Sequence, residues 1–196
     1  MRQGSFQDAH KFTAQWEGGL SDHPADRGGL TAYGASIEFV KDIASSASGK
    51  NFLQALNVIL PITRESIQKL TRAQVESMFR REFWDALRLD TLPYRQAALL
   101  YDAAVNTGRK QAVKLSQRGY NKLTTYGTPL VVDGIMGPKT LSALKADTDV
   151  LVKSIIQCRR AFYESLVAQR SSQEVFLNGW INRVNALERY LLGPKS

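Results

Sequence analysis

Glu17, Asp22, Asp26 and Thr31 lie close together near the start of the chain, in a stretch with two pairs of glycines. Glu17 follows an apolar helical pattern and precedes Gly18-Gly19, so we expect it at the C-terminal end of a helix. The negative end of the helix dipole, and any burial against apolar neighbours, would raise the pKa of its carboxyl group. A raised pKa is what a general acid needs near neutral pH.

Asp22 and Asp26 are placed differently, in a segment rich in turn-forming residues. Pro24 and Gly28-Gly29 favour turns, so we expect both carboxylates to be hydrated and ionised. One carboxyl group kept neutral beside another left charged is the arrangement that hydrolyses glycosidic bonds. A helix end followed by a tight hairpin would bring the two kinds of carboxyl group and the threonine together. The alternative is a surface turn, which is the commoner role of a Gly-rich loop.

Apolar residues recur at helical spacing along most of the chain, which predicts an all-α fold. Alternation typical of strands is confined to residues 20–35, so we expect one small β-hairpin there. The Ser- and Ala-rich stretch 44–51 is predicted to be a loop. Residues typical of helix N-caps precede several of the helical patterns, at Ser5, Ser36, Thr71, Asp149 and Ser171.

Two polar residues, Asp102 and Asn106, share one face of a predicted helix because they are one helical turn apart. They could reach a ligand together, although a structural hydrogen-bonding role is the commoner one for such a pair. The single cysteine, Cys158, lies in an apolar helical pattern and is interpreted as a packing residue. One cysteine and two histidines do not suit a common zinc site, so we expect no metal and no cofactor.

Further motifs follow in order along the chain. The opening string is Glu17-Gly-Gly, then Asp22-x-Pro-x-Asp26-x-Gly-Gly-x-Thr31-x-x-Gly34, and later strings are Phe83-Trp-Asp85, Asp102-Ala-Ala-Val-Asn106-x-Gly108, Val132-Asp-Gly134-x-x-Gly-Pro138, Arg160-Ala-Phe-Tyr163 and Phe176-Leu-x-Gly-Trp180-x-Asn-Arg183. Together they resemble glycoside hydrolase family 108, which contains muramidases of phages and bacteria. The resemblance covers nearly the whole chain in collinear order.

The resemblance implies a lysozyme-like, all-α hydrolase with a small hairpin near its active site. It implies an N-acetylmuramidase in which Glu17 is the general acid. Asp26, or less favourably Asp22, would hold the water or stabilise positive charge on the sugar, and Thr31 would orient that water. These residues are also similar to a Glu, Asp and Thr triplet of phage lysozymes, although the last interval is one residue shorter here. Tyr33 would shape the floor of the cleft together with the glycine that follows it.

The same resemblance implies two functional parts within one globule. Residues 1–90 would form the catalytic part, and residues 91–196 a helical part that binds peptidoglycan. The turn-rich segment around Asp133-Gly134 would open the binding part, although these residues equally suit a purely structural turn.

The chain is basic, with 26 lysines and arginines against 18 aspartates and glutamates, a formal net charge of +8. Such a charge favours anionic partners, among them nucleic acid, acidic membranes and anionic cell wall. Basic residues are spread along the helices without a dense run, so we expect no nucleic-acid partner. The longest apolar runs are too short to cross a bilayer, so we expect no integral membrane segment. The family resemblance implies peptidoglycan glycan strands as the partner, and we expect a monomer.

The N-terminus has neither the apolar core nor the cleavage site of a signal peptide. We therefore expect synthesis in the cytoplasm and action on the periplasmic cell wall after membrane permeabilisation or dedicated export. A phage endolysin in bacterial lysis fits this pattern, and a secreted antibacterial muramidase effector is its rival. An alternative of another class is a non-catalytic protein that binds peptidoglycan and regulates other enzymes.

Overall fold

Helices account for most of the residues that the computed structural model describes, which are 5–17, 30–125 and 128–193. The α-helices are α1 (Phe6–Thr13), α2 (Ile37–Ala44), α3 (Ala47–Ala55), α4 (Arg64–Gln68), α5 (Arg72–Phe79), α6 (Tyr94–Thr107), α7 (Arg109–Leu123), α8 (Pro138–Leu144), α9 (Asp149–Gln169) and α10 (Glu174–Leu192). Short 3₁₀ turns lie at Ala14–Trp16, Leu89–Thr91 and Ser171–Gln173, and one π-helical turn at Arg80–Asp85.

One antiparallel hairpin joins β1 (Thr31–Ala32) to β2 (Ala35–Ser36). Its two-residue turn has positive φ at both positions, 52° at Tyr33 and 87° at Gly34, which suits the twist of a tight hairpin. Both alanines of the hairpin are buried. The prediction of an all-α fold with a small hairpin is confirmed within the described residues.

Several helix starts follow from side-chain caps that were predicted from the sequence. The Ser36 hydroxyl accepts a hydrogen bond from the backbone N–H of Phe39 at 3.1 Å, so the end of the hairpin is also the cap of α2. Thr71 forms a capping box with Gln74 at the start of α5. Helix α9 begins at Asp149, but its cap is Thr148, one residue earlier than predicted.

The predicted loop at residues 44–51 is wrong, because α3 begins within it. The Ser46 hydroxyl accepts from the backbone N–H of Gly49 at 3.0 Å and caps the helix. Gly49 breaks no helix here. A Cβ at this position would lie 1.7 Å from the carbonyl oxygen of Ile43, so close packing requires glycine.

The described residues form two compact units. One comprises those of 13–82, and the other those of 1–12 together with 83–196. The smaller unit contains the hairpin and helices α2 to α5, and its buried apolar side chains include Leu30, Val40, Leu53, Ile67, Val75 and Met78. The predicted functional division at residue 90 remains a prediction.

The larger unit is organised around α6, whose apolar side chains are almost entirely buried. Helices α7 and α9 pack so closely that a Cβ at Gly119 would lie 2.6 Å from Cγ1 of Ile155. Trp84 is fully buried in the same core and donates from its indole N–H to Asp90 at 2.8 Å. Cys158 is buried as well.

Candidate active site

Glu17 ends the 3₁₀ turn that follows α1. Its backbone N–H donates to the carbonyl oxygen of Ala14 at 3.3 Å, and its φ and ψ of −98° and 13° end the helical run. The side chain is partly buried. The expected position at a helix C-terminus is therefore what the structure shows.

The hairpin turn contacts Glu17 directly. A Cβ built on Gly34 would lie 2.7 Å from Cβ of Glu17, and 3.2 Å from both Cγ and Oε2. Only a residue without a side chain permits this approach, and a φ of 87° independently favours glycine. The backbone of the turn therefore forms one wall against the Glu17 side chain.

Thr31 lies on the first strand of that hairpin, paired with Ser36. The backbone N–H of Ile37 donates to the carbonyl oxygen of Leu30 at 3.1 Å, which closes the base of the hairpin. Thr31 thus belongs to the same small element that contacts Glu17. The two candidates for the second carboxylate, Asp22 and Asp26, lie outside the described residues.

Tyr33 occupies the other position of the hairpin turn. The guanidinium carbon of Arg72 lies 5.1 Å from the centre of its ring, a cation–π distance. Arg72 begins α5 and is exposed, whereas Tyr33 is partly buried. The structure thus places a predicted binding residue, Tyr33, under a cation that the sequence analysis did not single out.

Asp102 is fully buried in the larger unit, between two arginines. Arg159 donates from Nη1 to one carboxylate oxygen at 2.6 Å, and Arg183 approaches the other with Nη2 at 2.8 Å. Burial by itself would raise the pKa of Asp102, but the two guanidinium groups outweigh it and hold that pKa below its usual value. This placement favours the structural role that was the alternative for Asp102.

Asn106 belongs to the same buried cluster, one helical turn further along α6. Its side-chain oxygen accepts a hydrogen bond from the Tyr163 hydroxyl, which itself accepts from Nε of Arg159 at 2.9 Å. Burial raises the pKa of Tyr163, so this hydroxyl stays protonated and can donate. Asp102, Asn106, Arg159, Tyr163 and Arg183 are called the α6 tie below.

A groove of about 1000 Å³ lies between α7, α8 and the loop 128–137. The Gln117 amide holds this loop, donating to Asp133 at 2.9 Å and accepting from the backbone N–H of Gly134 at 3.0 Å. Apolar side chains remain exposed along the loop, with Val131 76% and Ile135 64% accessible. The Asp133-Gly134 pair therefore does set a turn, and that turn shapes one wall of a groove.

Neither a metal centre nor a membrane-spanning helix occurs in the part of the chain that the structure describes. No group of three or more histidine, cysteine, aspartate or glutamate side chains there could hold a metal ion. No helix among those residues is long and apolar enough to cross a membrane.

Sequence reasoning missed Arg72 and Arg159. Arg72 meets Tyr33 only through the fold, and no local pattern connects them. Arg159 did carry a signal, because it falls on the otherwise apolar face of α9, where a charged residue needs a buried partner.

Comparison with known proteins identifies the family of this chain. The family model described as glycosyl hydrolase 108 matches residues 10–108, and one described as a predicted peptidoglycan domain matches residues 111–185. The structure of Brucella abortus SagA is similar to the fold, with a TM-score of 0.71 and 24% identity over 95% of this chain and 93% of that chain. No curated protein matches the chain. With half of its length matched by the hydrolase model and most of the remainder by the peptidoglycan domain, the chain belongs to glycosyl hydrolase family 108 and is a glycoside hydrolase that acts on peptidoglycan.

Proposed function

We propose that the protein is an N-acetylmuramidase that cleaves the β-1,4 bond between N-acetylmuramic acid and N-acetylglucosamine. The observation that carries this proposal is the placement of Glu17 at a helix end, against the backbone of Gly34. A carboxyl group held by backbone on one side keeps a fixed direction, as a proton donor to a glycosidic oxygen must.

In this mechanism Glu17 transfers its proton to the oxygen of the leaving sugar as the glycosidic bond breaks. A second carboxylate, Asp26 or less favourably Asp22, stabilises the positive charge that develops on the remaining sugar ring or activates the incoming water. Thr31 orients that water with its hydroxyl group. The stereochemical outcome depends on the distance between the two carboxyl groups, because about 5–5.5 Å gives retention and about 6.5–9.5 Å inversion.

Residues 111–185 would hold the wall while the catalytic part acts, and the groove beside the loop 128–137 is the proposed contact surface. It offers exposed apolar side chains beside polar ones, a combination that suits the faces and edges of sugar rings. The basic charge of the chain would add long-range attraction to the anionic wall, an effect that weakens with salt.

The biological setting we propose is that of a phage-type endolysin, made in the cytoplasm and released to the wall when the membrane is opened. The same chemistry would serve an exported antibacterial effector. Lysis timing in cells that carry and lack a membrane-permeabilising partner separates these two settings, because only the endolysin depends on that partner.

The decisive experiment compares wild type and Glu17→Gln on purified peptidoglycan, with mass spectrometry of the products. Glutamine keeps the shape of the side chain but lacks the acidic proton, so activity should fall at least ~100-fold while the thermal midpoint is unchanged. Glu38→Gln is the matched control, because Glu38 is an exposed residue paired with Lys41 at 3.0 Å. Products with reducing N-acetylmuramic acid ends establish the bond.

A non-catalytic wall-binding protein is the competing function. It predicts that wild type releases no saccharide yet sediments with the same wall material. It also predicts that Glu17→Gln and wild type sediment equally. Saccharide release by wild type that Glu17→Gln abolishes would eliminate this alternative.

A further inference from the structure

Arg72 is an exposed cation that contacts the hairpin turn. Its guanidinium carbon lies over the Tyr33 ring, and the group makes no hydrogen bond or ion pair with a described residue. The first turn of α5 also contains no acidic residue. The positive charge is therefore held in place by an aromatic ring and is not neutralised by a carboxylate among the described residues.

The position of this stack relative to Glu17 follows from the hairpin. Tyr33 directly precedes Gly34, and Gly34 contacts the Glu17 side chain. Only one peptide unit therefore separates the residue under Arg72 from the residue against the proposed acid. A polymer bound with one linkage at Glu17 would therefore have this hairpin turn as a neighbour.

The two sugars of peptidoglycan differ in charge. N-acetylglucosamine has no carboxyl group, whereas N-acetylmuramic acid carries a lactyl group that ends in a carboxylate or continues into a peptide with carboxylates of its own. Arginine suits such groups because its planar fork of N–H donors matches both oxygens of a carboxylate. The cation–π contact with Tyr33 holds the guanidinium carbon 5.1 Å from the ring centre and uses none of its N–H groups in a hydrogen bond with a described residue.

We propose that Arg72, oriented by Tyr33, binds a carboxylate on the muramic acid side of the scissile bond and so selects anionic glycan over neutral glycan. This inference rests on the proposed function, since it assigns a subsite of the same cleft. The competing explanation is that Arg72 only covers the Tyr33 ring, in which case its removal changes stability and nothing else.

The test measures steady-state kinetics of wild type, Arg72→Gln and Arg72→Lys on three substrates. These are intact peptidoglycan, glycan strands freed of peptide by an amidase, and the same strands with their carboxyl groups amidated by carbodiimide and ammonia. Lys50→Gln removes one exposed positive charge in the same compact unit and is the matched control. Sedimentation with each material provides a readout of binding that does not require turnover.

We expect Arg72→Gln to raise KM about tenfold on the substrate that carries the bound carboxylate, the effect of one charge-assisted hydrogen bond, with kcat within about twofold. Arg72→Lys should be intermediate, and Lys50→Gln should behave as wild type. If the lactyl carboxylate is the ligand, the KM of wild type on amidated strands should match that of Arg72→Gln on native peptide-free strands. The KM of Arg72→Gln should then be the same on amidated and native strands. Because the lactyl carboxyl group is amide-linked wherever a peptide is attached, the defect appears on peptide-free strands if the lactyl carboxylate is the ligand, and on intact peptidoglycan alone if the peptide carboxylates are.

The proposal is overturned if Arg72→Gln has the KM of wild type on both intact peptidoglycan and peptide-free strands, or if it loses the same factor on charged and amidated strands. These outcomes can be distinguished from failure of the proposed function. A wild type that releases no saccharide refutes the muramidase, and sedimentation of wild type and Arg72→Gln on charged and amidated strands still decides the role of Arg72.

Discussion

Glu17 and Asp102 are both carboxylates in motifs of the same family, yet the protein surrounds them in opposite ways. Asp102 is fully buried, and two arginines take up its oxygens. Glu17 is partly exposed, and its neighbour on one side is the bare backbone of Gly34. A carboxylate held by two cations keeps its charge and stabilises the fold, whereas a carboxyl group that must release a proton to substrate has to remain reachable.

The largest effect should come from Asp102→Asn, which leaves two buried guanidinium groups facing a neutral amide. Breaking a buried ion pair in this way costs about 3–5 kcal/mol of unfolding free energy. Urea or thermal unfolding measures the loss, with the exposed Asp42→Asn as a control expected within about 0.5 kcal/mol of wild type. Unchanged stability of Asp102→Asn together with a raised KM would show that Asp102 binds substrate after all.

Gly34→Ala tests whether the turn positions Glu17. The new Cβ would lie 2.7 Å from Cβ of Glu17 and must displace it, so we expect a loss of about 30-fold in kcat, or ~2 kcal/mol. Gly108→Ala is a closely matched control, because Gly108 has a φ of 82° but no neighbour within 4 Å of the added Cβ. Both variants should lose about 1 kcal/mol of stability through the positive φ. Equal activity of the two would remove the positioning role of Gly34.

The fall of the unfolding free energy at acidic pH should depend on Asp102. Because the folded-state pKa of Asp102 is lowered, its contribution is fully present above the usual aspartate pKa of about 3.9 and is lost as the pH falls through the folded-state pKa. The unfolded chain binds the extra proton, so unfolding free energy falls with decreasing pH by up to about 1.4 kcal/mol per unit. Urea unfolding between pH 5 and 2 should show a shallower slope in Asp102→Asn. If the unfolding free energy has the same slope against pH in wild type and Asp102→Asn, other carboxylates cause the loss of stability at acidic pH.

Thr31→Val should give the smallest change. Valine keeps the branched shape on β1 but removes the hydroxyl that would orient the water, so kcat should fall about fivefold, the value of one hydrogen bond near 1 kcal/mol. Thr31→Ser keeps the hydroxyl and should retain most of the activity. If valine and serine behave alike, the hydroxyl has no part in the reaction.

Local signals predicted most of the fold. The caps at Ser36 and Thr71 and the Tyr33-Gly34 turn are decided by neighbouring residues, so they could be predicted from the chain alone. The loop predicted at 44–51 failed because its Ser- and Ala-rich composition was interpreted as a loop, although Ser46 caps a helix there and packing against Ile43 requires Gly49 inside it.

The candidate site was only partly predictable. Glu17 and Gly34 could be identified by type and order, but their contact joins segments separated in sequence. Arg183 pairs with Asp102, yet nothing local in the sequence identifies Asp102 as its partner. The same holds for Arg72 and Tyr33, because only tertiary folding brings them together.

The α6 tie has a consequence for how such chains can be inherited and rearranged. Asp102 lies in the segment matched by the hydrolase family, whereas Arg159 and Arg183 lie in the segment matched by the peptidoglycan domain. A recombination junction between residues 108 and 111 would therefore strand two buried positive charges on one side and a buried negative charge on the other. Recombination that exchanges the C-terminal half must also supply the matching arginines, so the two halves should be inherited together.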